Sequence, residues 1–96
     1  MDLTHFKKIL HAKEPPHNFS NLLKAMWLVA NKRWNEAHVI AQEENSLDGS
    51  WVHAYLHREE GDIGNASYWY ARAGREVPDV TLDREWDEIV LFLLDN

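Results

Sequence analysis

The sequence predicts an all-α protein, folded as a compact bundle of about six helices. Apolar residues recur at spacings of three and four rather than two, which is the period of one helix face. Helix breakers are scarce, with four glycines and three prolines, so few positions interrupt a helix. Five tryptophans among 96 residues can also fill much of the small core that such a bundle needs.

Length and composition predict a single all-α domain over residues 1–96, and they exclude several function classes. The net charge of −6, without a run of basic residues, argues against nucleic-acid binding. The absence of cysteine excludes disulfides, thiol nucleophiles and thiolate metal sites. The longest apolar run, IVLFLL, is too short to span a bilayer, and the N-terminus lacks the apolar core of a signal peptide. We therefore expect a cytoplasmic protein that binds neither nucleic acid nor membrane.

The first half of the chain predicts three helices. The first, a capping helix over residues 2–13, ends ahead of Pro15 because the residue before a proline avoids helical dihedrals. The second covers residues 20–32, where LLKAMWLVA is apolar on nearly all sides and belongs in the middle of the bundle. The third begins near residue 34 and is expected to direct four residues inward: Trp34, Ala37, Ile40 and Ala41.

The second half predicts three more helices. NSLDGS is predicted as a turn in which Asp48 or Ser50 caps the fourth helix, and that helix ends at Gly61. Asp62 is the expected cap of the fifth helix, which ends at Gly74. The inward stripe of the fifth helix is expected to comprise Ile63, Ala66, Tyr70 and Ala73.

The last helix, over residues 82–95, is predicted to start at a Thr81 cap and to cover one end of the bundle. Its IVLFLL end is apolar all round, so something must cover Leu91 or Phe92. A second copy of the chain is one candidate, and the sequence therefore raises a homodimer as a hypothesis.

Residues 20–45 and 48–74 form two helix–turn–helix units, in which WNEA and IGNA recur 29 positions apart. In the second unit a Gly61-Asp62 turn precedes the small and aromatic residues Ala66, Tyr70 and Ala73, and Pro78 follows. This pattern resembles the tetratricopeptide repeat. The WVHAYLHREEGD stretch also resembles one in small uncharacterised bacterial proteins, and no activity comes with that likeness.

The tetratricopeptide resemblance implies a binding surface. In such repeats the first helix of each hairpin lines a concave ligand groove, and by register the second unit would present Trp51, Tyr55, Arg58 and Glu59 there. Aromatic residues with arginine are typical of binding hot spots. The alternative is that the terminal helices cover this surface and the aromatics are core. The resemblance thus favours a non-enzymatic module that binds a protein or peptide.

Two other groups of residues deserve a chemical interpretation. His53, His57 and Glu60 share one helix face at spacings that could hold zinc, so a metal-binding protein is an alternative function. Because Ala54 stands where the HExxH motif has its glutamate, a polar flank, with His57 packing inside the hairpin, is the preferred interpretation, and no metal or cofactor is assigned. Glu59 falls in the apolar sector of its helix, so either that side opens onto solvent or an arginine pairs with it. No catalytic residue is predicted, because no recognisable catalytic motif occurs; an enzyme without such a motif stays an alternative.

Overall fold

A computed structural model describes residues 1–95 and shows six α-helices, one short 3₁₀ turn and no strand within that range. This confirms the predicted all-α bundle of about six helices. The helices are α1 (Leu3–Lys8), α2 (Asn21–Ala30), α3 (Trp34–Glu43), α4 (Leu47–Glu59), α5 (Ile63–Arg72) and α6 (Leu82–Leu94).

The first helix is shorter than predicted. It ends at Lys8, and residues Ile9–His11 form a 3₁₀ turn rather than further α-helix. The carbonyl of Ile9 accepts hydrogen bonds from the Ala12 amide (3.1 Å) and from the Trp27 indole nitrogen (3.0 Å). The change from α-helix to 3₁₀ turn therefore occurs at Ile9, the residue whose carbonyl also binds the Trp27 indole of α2.

Side-chain caps start the later helices, two of them as predicted. Asp62 accepts from the amide of residue 65, and Thr81 from that of residue 84. The prediction for α4 was wrong: Ser46 is the cap, its hydroxyl accepting from the Gly49 amide at 2.9 Å. The turn is thus shorter than NSLDGS. Gly49 then lies inside the helix, where a Cβ atom would collide with the Glu44 carbonyl.

Helices α2 and α4 end in the same way, 29 residues apart. Gly61 has φ +91°, and the next amide donates back to the His57 carbonyl at 2.8 Å. Lys32 takes the corresponding place with φ +63°, and the next amide donates to the Leu28 carbonyl at 3.0 Å. Both turns therefore have the Schellman geometry, although only one carries the glycine that it favours.

We expect Lys32→Gly to raise the free energy of unfolding by about 1 kcal/mol, because the left-handed conformation is strained for a residue with a Cβ atom. Urea denaturation of the two proteins measures the difference. Gly61→Lys is the reciprocal change and should destabilise by a similar amount. Equal stability of wild type and Lys32→Gly would contradict this explanation.

The core lies where α2, α4 and α6 meet. Small residues face each other where hairpin helices approach closely, and Ala25, Ala37, Ala54 and Ala66 are all at most 1% exposed. Of the predicted inward stripe of α5, only Ile63 is misplaced: it is 55% exposed because it lies in the first turn of the helix, outside the packed face. On α3, Ala41 is buried, whereas Trp34 and Ile40 are half-buried.

Helix α6 packs against α1, α2 and α4, and so covers the side of α4 that carries Trp51. Phe92 is half-buried, with its ring edge-on to that of Trp51 at a centroid distance of 5.5 Å. Leu91 points outward and is 48% exposed. The apolar end of α6 is thus partly covered within the chain, and dimerisation through Leu91 and Phe92 stays a prediction.

Candidate functional site

The four residues expected in a groove do not share one open surface. Trp51 and Tyr55 are 6% and 5% exposed, so α6 covers the aromatics, which is the alternative raised for them. Arg58 is held by an ion pair with Glu85, at 2.8 Å. Glu59 is exposed and makes no ion pair among the described residues, so its side of α4 opens onto solvent. Partner binding by these residues stays a prediction.

Glu85 is the buried carboxylate that organises this region. It is 1% exposed and accepts hydrogen bonds from the Trp51 indole (3.1 Å) and from the Tyr70 hydroxyl (2.6 and 2.7 Å to its two oxygens). Arg58 adds the ion pair and also donates to the Val80 carbonyl. Burial and the neighbouring carboxylate raise the pKa of the Tyr70 hydroxyl, which stays protonated and donates. This network joins α4, α5 and α6.

A cluster of three histidines lies between α3 and α4. One ring nitrogen from each of His38, His53 and His57 falls within 4.8 Å of the others. The Nε2 atoms of His38 and His53 are 3.0 Å apart, so in the metal-free protein one carries the proton and the other accepts it. His53 and His57 are 5% and 8% exposed, whereas His38 is half-buried at the surface edge. The cluster is therefore nearly enclosed, with its opening at His38.

Aromatic rings fix the orientation of these imidazoles. Trp69 stacks on His53 at a centroid distance of 3.9 Å, and Trp34 stacks on His38 at 4.8 Å. The Trp34 indole also donates to the Leu56 carbonyl at 2.8 Å, which anchors it to α4. Side chains held in this way cannot rotate freely, so the three nitrogens keep their positions without an ion.

Burial keeps His38 and His53 neutral near pH 7. Burial, together with the neighbouring rings of His38 and His57, lowers the pKa of His53 to about 4. Burial and the His57 ring also lower the pKa of His38. Neutral imidazole is the form that binds a metal ion, since its lone pair must be available.

Glu60 supports the third histidine. Its carboxylate lies 2.8 Å from Nδ1 of His57, which leaves Nε2 of that ring as the nitrogen available to a ligand. Metal-binding histidines commonly donate their second ring nitrogen to a carboxylate in this way, which fixes the tautomer. The sequence placed Glu60 beside His53 and His57 as a possible zinc ligand, whereas in the structure it contacts Nδ1 of His57 and lies outside the three-histidine group. With Asp62, it also forms a second group around His57, and both carboxylates are exposed.

The sequence prediction missed His38. His53 and His57 are one turn apart on α4, so their proximity follows from helix geometry. His38 comes from α3 and reaches the cluster only because α3 and α4 pack together. Its position one turn beyond Trp34, on a helix next in sequence, is the only signal that could have suggested it.

A second feature is a cavity of about 440 Å³ lined by α1, α2, α4 and α6. Tyr55 and Glu59 line it, so these two predicted groove residues do face a shared space. The other lining residues are Lys7, Leu10, Val29, Ala30, Lys32, Leu82, Asp83, Trp86 and Asp87. Its volume is in the range of small-ligand sites.

Comparisons with protein-family models, curated proteins and solved structures give no match. Within residues 1–95, no helix is both long enough and apolar enough to cross a membrane. The side-chain geometry of the histidine cluster and of the cavity is therefore what supports a function.

Proposed function

We propose that this protein binds a divalent transition-metal ion, zinc being the best match, through His38, His53 and His57. The observation that carries the proposal is the convergence of three ring nitrogens within 4.8 Å of one another. Tetrahedral coordination at zinc–nitrogen bonds of about 2 Å needs ligand nitrogens little more than about 3 Å apart. The Nε2 atoms of His38 and His53, at 3.0 Å, need only a small adjustment to meet this requirement.

The ligand set favours zinc over the harder cations. The three converging ligand atoms are imidazole nitrogens, which are poor ligands for magnesium or calcium because those ions prefer oxygen. Three histidines leave a fourth position for water or an exogenous ligand, and the cluster opens to the surface at His38. Glu60, by holding Nδ1 of His57, fixes the tautomer and the orientation of that ring.

Zinc titration of chelator-treated protein against a chromophoric competitor tests this proposal. Wild type should bind one ion per chain, and His53→Phe, which keeps an aromatic ring but removes the ligand, should bind at least about 100-fold more weakly. Glu60→Gln should lower the zinc affinity by about 10- to 100-fold, since it removes only the carboxylate that supports His57. His17→Gln, which changes an exposed histidine, is the matched control and should bind like wild type. Equal affinity of wild type and His53→Phe would refute the site.

A second candidate function is the binding of a protein or peptide, which the tetratricopeptide resemblance implies. The observation that favours it is the cavity that Tyr55 and Glu59 share with α1 and α6. A bound peptide side chain would enter this cavity rather than contact Trp51, which α6 covers. The two candidate functions use different faces of α4 and are independent.

A further inference from the structure

The hydroxyl of Tyr55 differs from the other buried tyrosine hydroxyl, that of Tyr70, in having no hydrogen-bond partner among the described residues. The residue is 5% exposed and lines the cavity, yet its hydroxyl makes no hydrogen bond to any described residue. The equally buried Tyr70 donates to Glu85. Because no fully buried side-chain oxygen among the described residues lacks a partner, the Tyr55 hydroxyl must be open to the cavity, where it is available to a ligand.

Charged side chains around the cavity are only partly neutralised. Lys7 pairs with Asp87 at 3.1 Å. The remaining lining charges are Lys32, Glu59 and Asp83, none of which has an ion pair among the described residues. The carboxylates of Glu59 and Asp83 outnumber the single ammonium of Lys32, so these lining residues carry a net negative charge.

The charges and the hydroxyl belong to the same microenvironment. The pKa of Tyr55 is raised, first by burial and then by the negative charges of Glu59, Glu85 and Asp83. The phenol is therefore neutral at physiological pH. It can accept a hydrogen bond from a cation, and its aromatic ring can attract that cation as well.

The rest of the lining is apolar. Leu10, Val29, Leu82 and Trp86 contribute aliphatic and aromatic surface, and Trp86 already donates its indole hydrogen to the Met26 carbonyl. A ligand that fits this cavity therefore carries a positive end for the rim and an apolar stem for the walls.

We infer that the cavity binds a primary ammonium group on an aliphatic chain, with Glu59 and Asp83 facing the ammonium and the Tyr55 hydroxyl accepting from it. A free alkylamine and the lysine side chain of a peptide share this chemistry. The inference is independent of metal binding, and it gives the second candidate function a ligand.

Binding of n-pentylamine, followed by NMR of the full chain, tests the inference, with n-pentanol and n-hexanoate as neutral and anionic ligands of similar length. The amine should bind about tenfold more tightly than the alcohol, which corresponds to about 1.4 kcal/mol. The double variant Glu59→Gln/Asp83→Asn should lose this preference, and Lys32→Gln should strengthen amine binding by removing the opposing charge. Glu43→Gln, an exposed change on α3, is the matched control.

Tyr55→Phe separates ligand binding from folding. It should weaken amine binding several-fold without lowering the melting temperature, because the hydroxyl has no partner to lose within the described chain. Tyr70→Phe, by contrast, removes a donor to Glu85 and should lower the melting temperature.

Equal binding of amine and alcohol, tighter binding of hexanoate, or an unaltered preference in Glu59→Gln/Asp83→Asn would each overturn the inference. Nα-acetyl-lysine N-methylamide, which blocks the backbone groups and keeps the side-chain ammonium, then distinguishes a peptide lysine from a free amine. If it binds as tightly as pentylamine, a lysine side chain of a peptide is the natural ligand class. If it binds much more weakly than pentylamine, the cavity is a site for free amines and the peptide function fails while the cavity assignment stands.

Discussion

Glu85→Gln should lower the free energy of unfolding by about 3–5 kcal/mol, although it changes only one atom of the side chain. Glu85 is 1% exposed and accepts from three different side chains. The neutral amide leaves Arg58 without its counterion. Its NH₂ group also replaces one of the two accepting oxygens, so it faces donors from the neighbouring side chains. An unpaired charge that is largely buried is one of the few causes of so large a loss.

Urea denaturation measures this effect, and α6 offers a matched control. Glu88 lies on the same helix and is exposed, and its carboxylate forms a long ion pair with Arg84, at 3.6 Å. Exposed pairs contribute at most about 1 kcal/mol, so Glu88→Gln should leave the urea midpoint nearly unchanged. Similar midpoints for the two variants would show that Glu85 does not anchor the three helices.

The ion pair also explains why charge reversal at Arg58 cannot test partner binding. Arg58→Glu would set a second carboxylate beside Glu85, and the protein would lose stability whether or not it binds a partner. The double variant Arg58→Met/Glu85→Gln removes both charges and should be less destabilised than the sum of its single variants.

The sequence predicts local structure well because local interactions produce it. The Asp62 and Thr81 caps and the Gly61 turn depend on residues within one helical turn of each other, so spacing alone identifies them. The misplaced start of α4 has the same local nature, since Ser46 competes with Asp48 for one cap and both are chemically suitable.

The candidate site depends on contacts between helices, which spacing does not encode. His38 joins His53 only through the packing of α3 on α4, at a separation of 15 residues. In the same way, the carboxylate that meets Arg58 is Glu85 of α6, whereas the sequence drew attention to Glu59 because of its helix sector. Helical periodicity shows which face is inward, but it does not show which residues of two inward faces meet.

Acid should destabilise the metal-free protein before its carboxylates titrate. The pKa of His53 falls from its ordinary 6.5 to about 4 on folding, so between these values the unfolded chain binds more protons than the folded one. Stability is therefore fully present above about pH 6.5 and falls as the pH decreases toward about 4. The loss from His53 alone should be about 2–3 kcal/mol, and His38, whose pKa is also lowered, adds to it.

Bound zinc should offset this loss of stability near neutral pH, and its stabilising effect should disappear at lower pH. An ion that binds only the folded state adds about 2.7 kcal/mol when its free concentration is about a hundred times the dissociation constant. Protons compete for the same nitrogens, so the zinc-dependent rise in melting temperature should be large near pH 7 and shrink toward pH 5. His53→Phe should abolish both the zinc effect and the His53 part of the acid sensitivity, whereas His17→Gln should keep both. If zinc stabilised His53→Phe as much as wild type, the ion would bind elsewhere, because one substitution removes the ligand and the titrating group together.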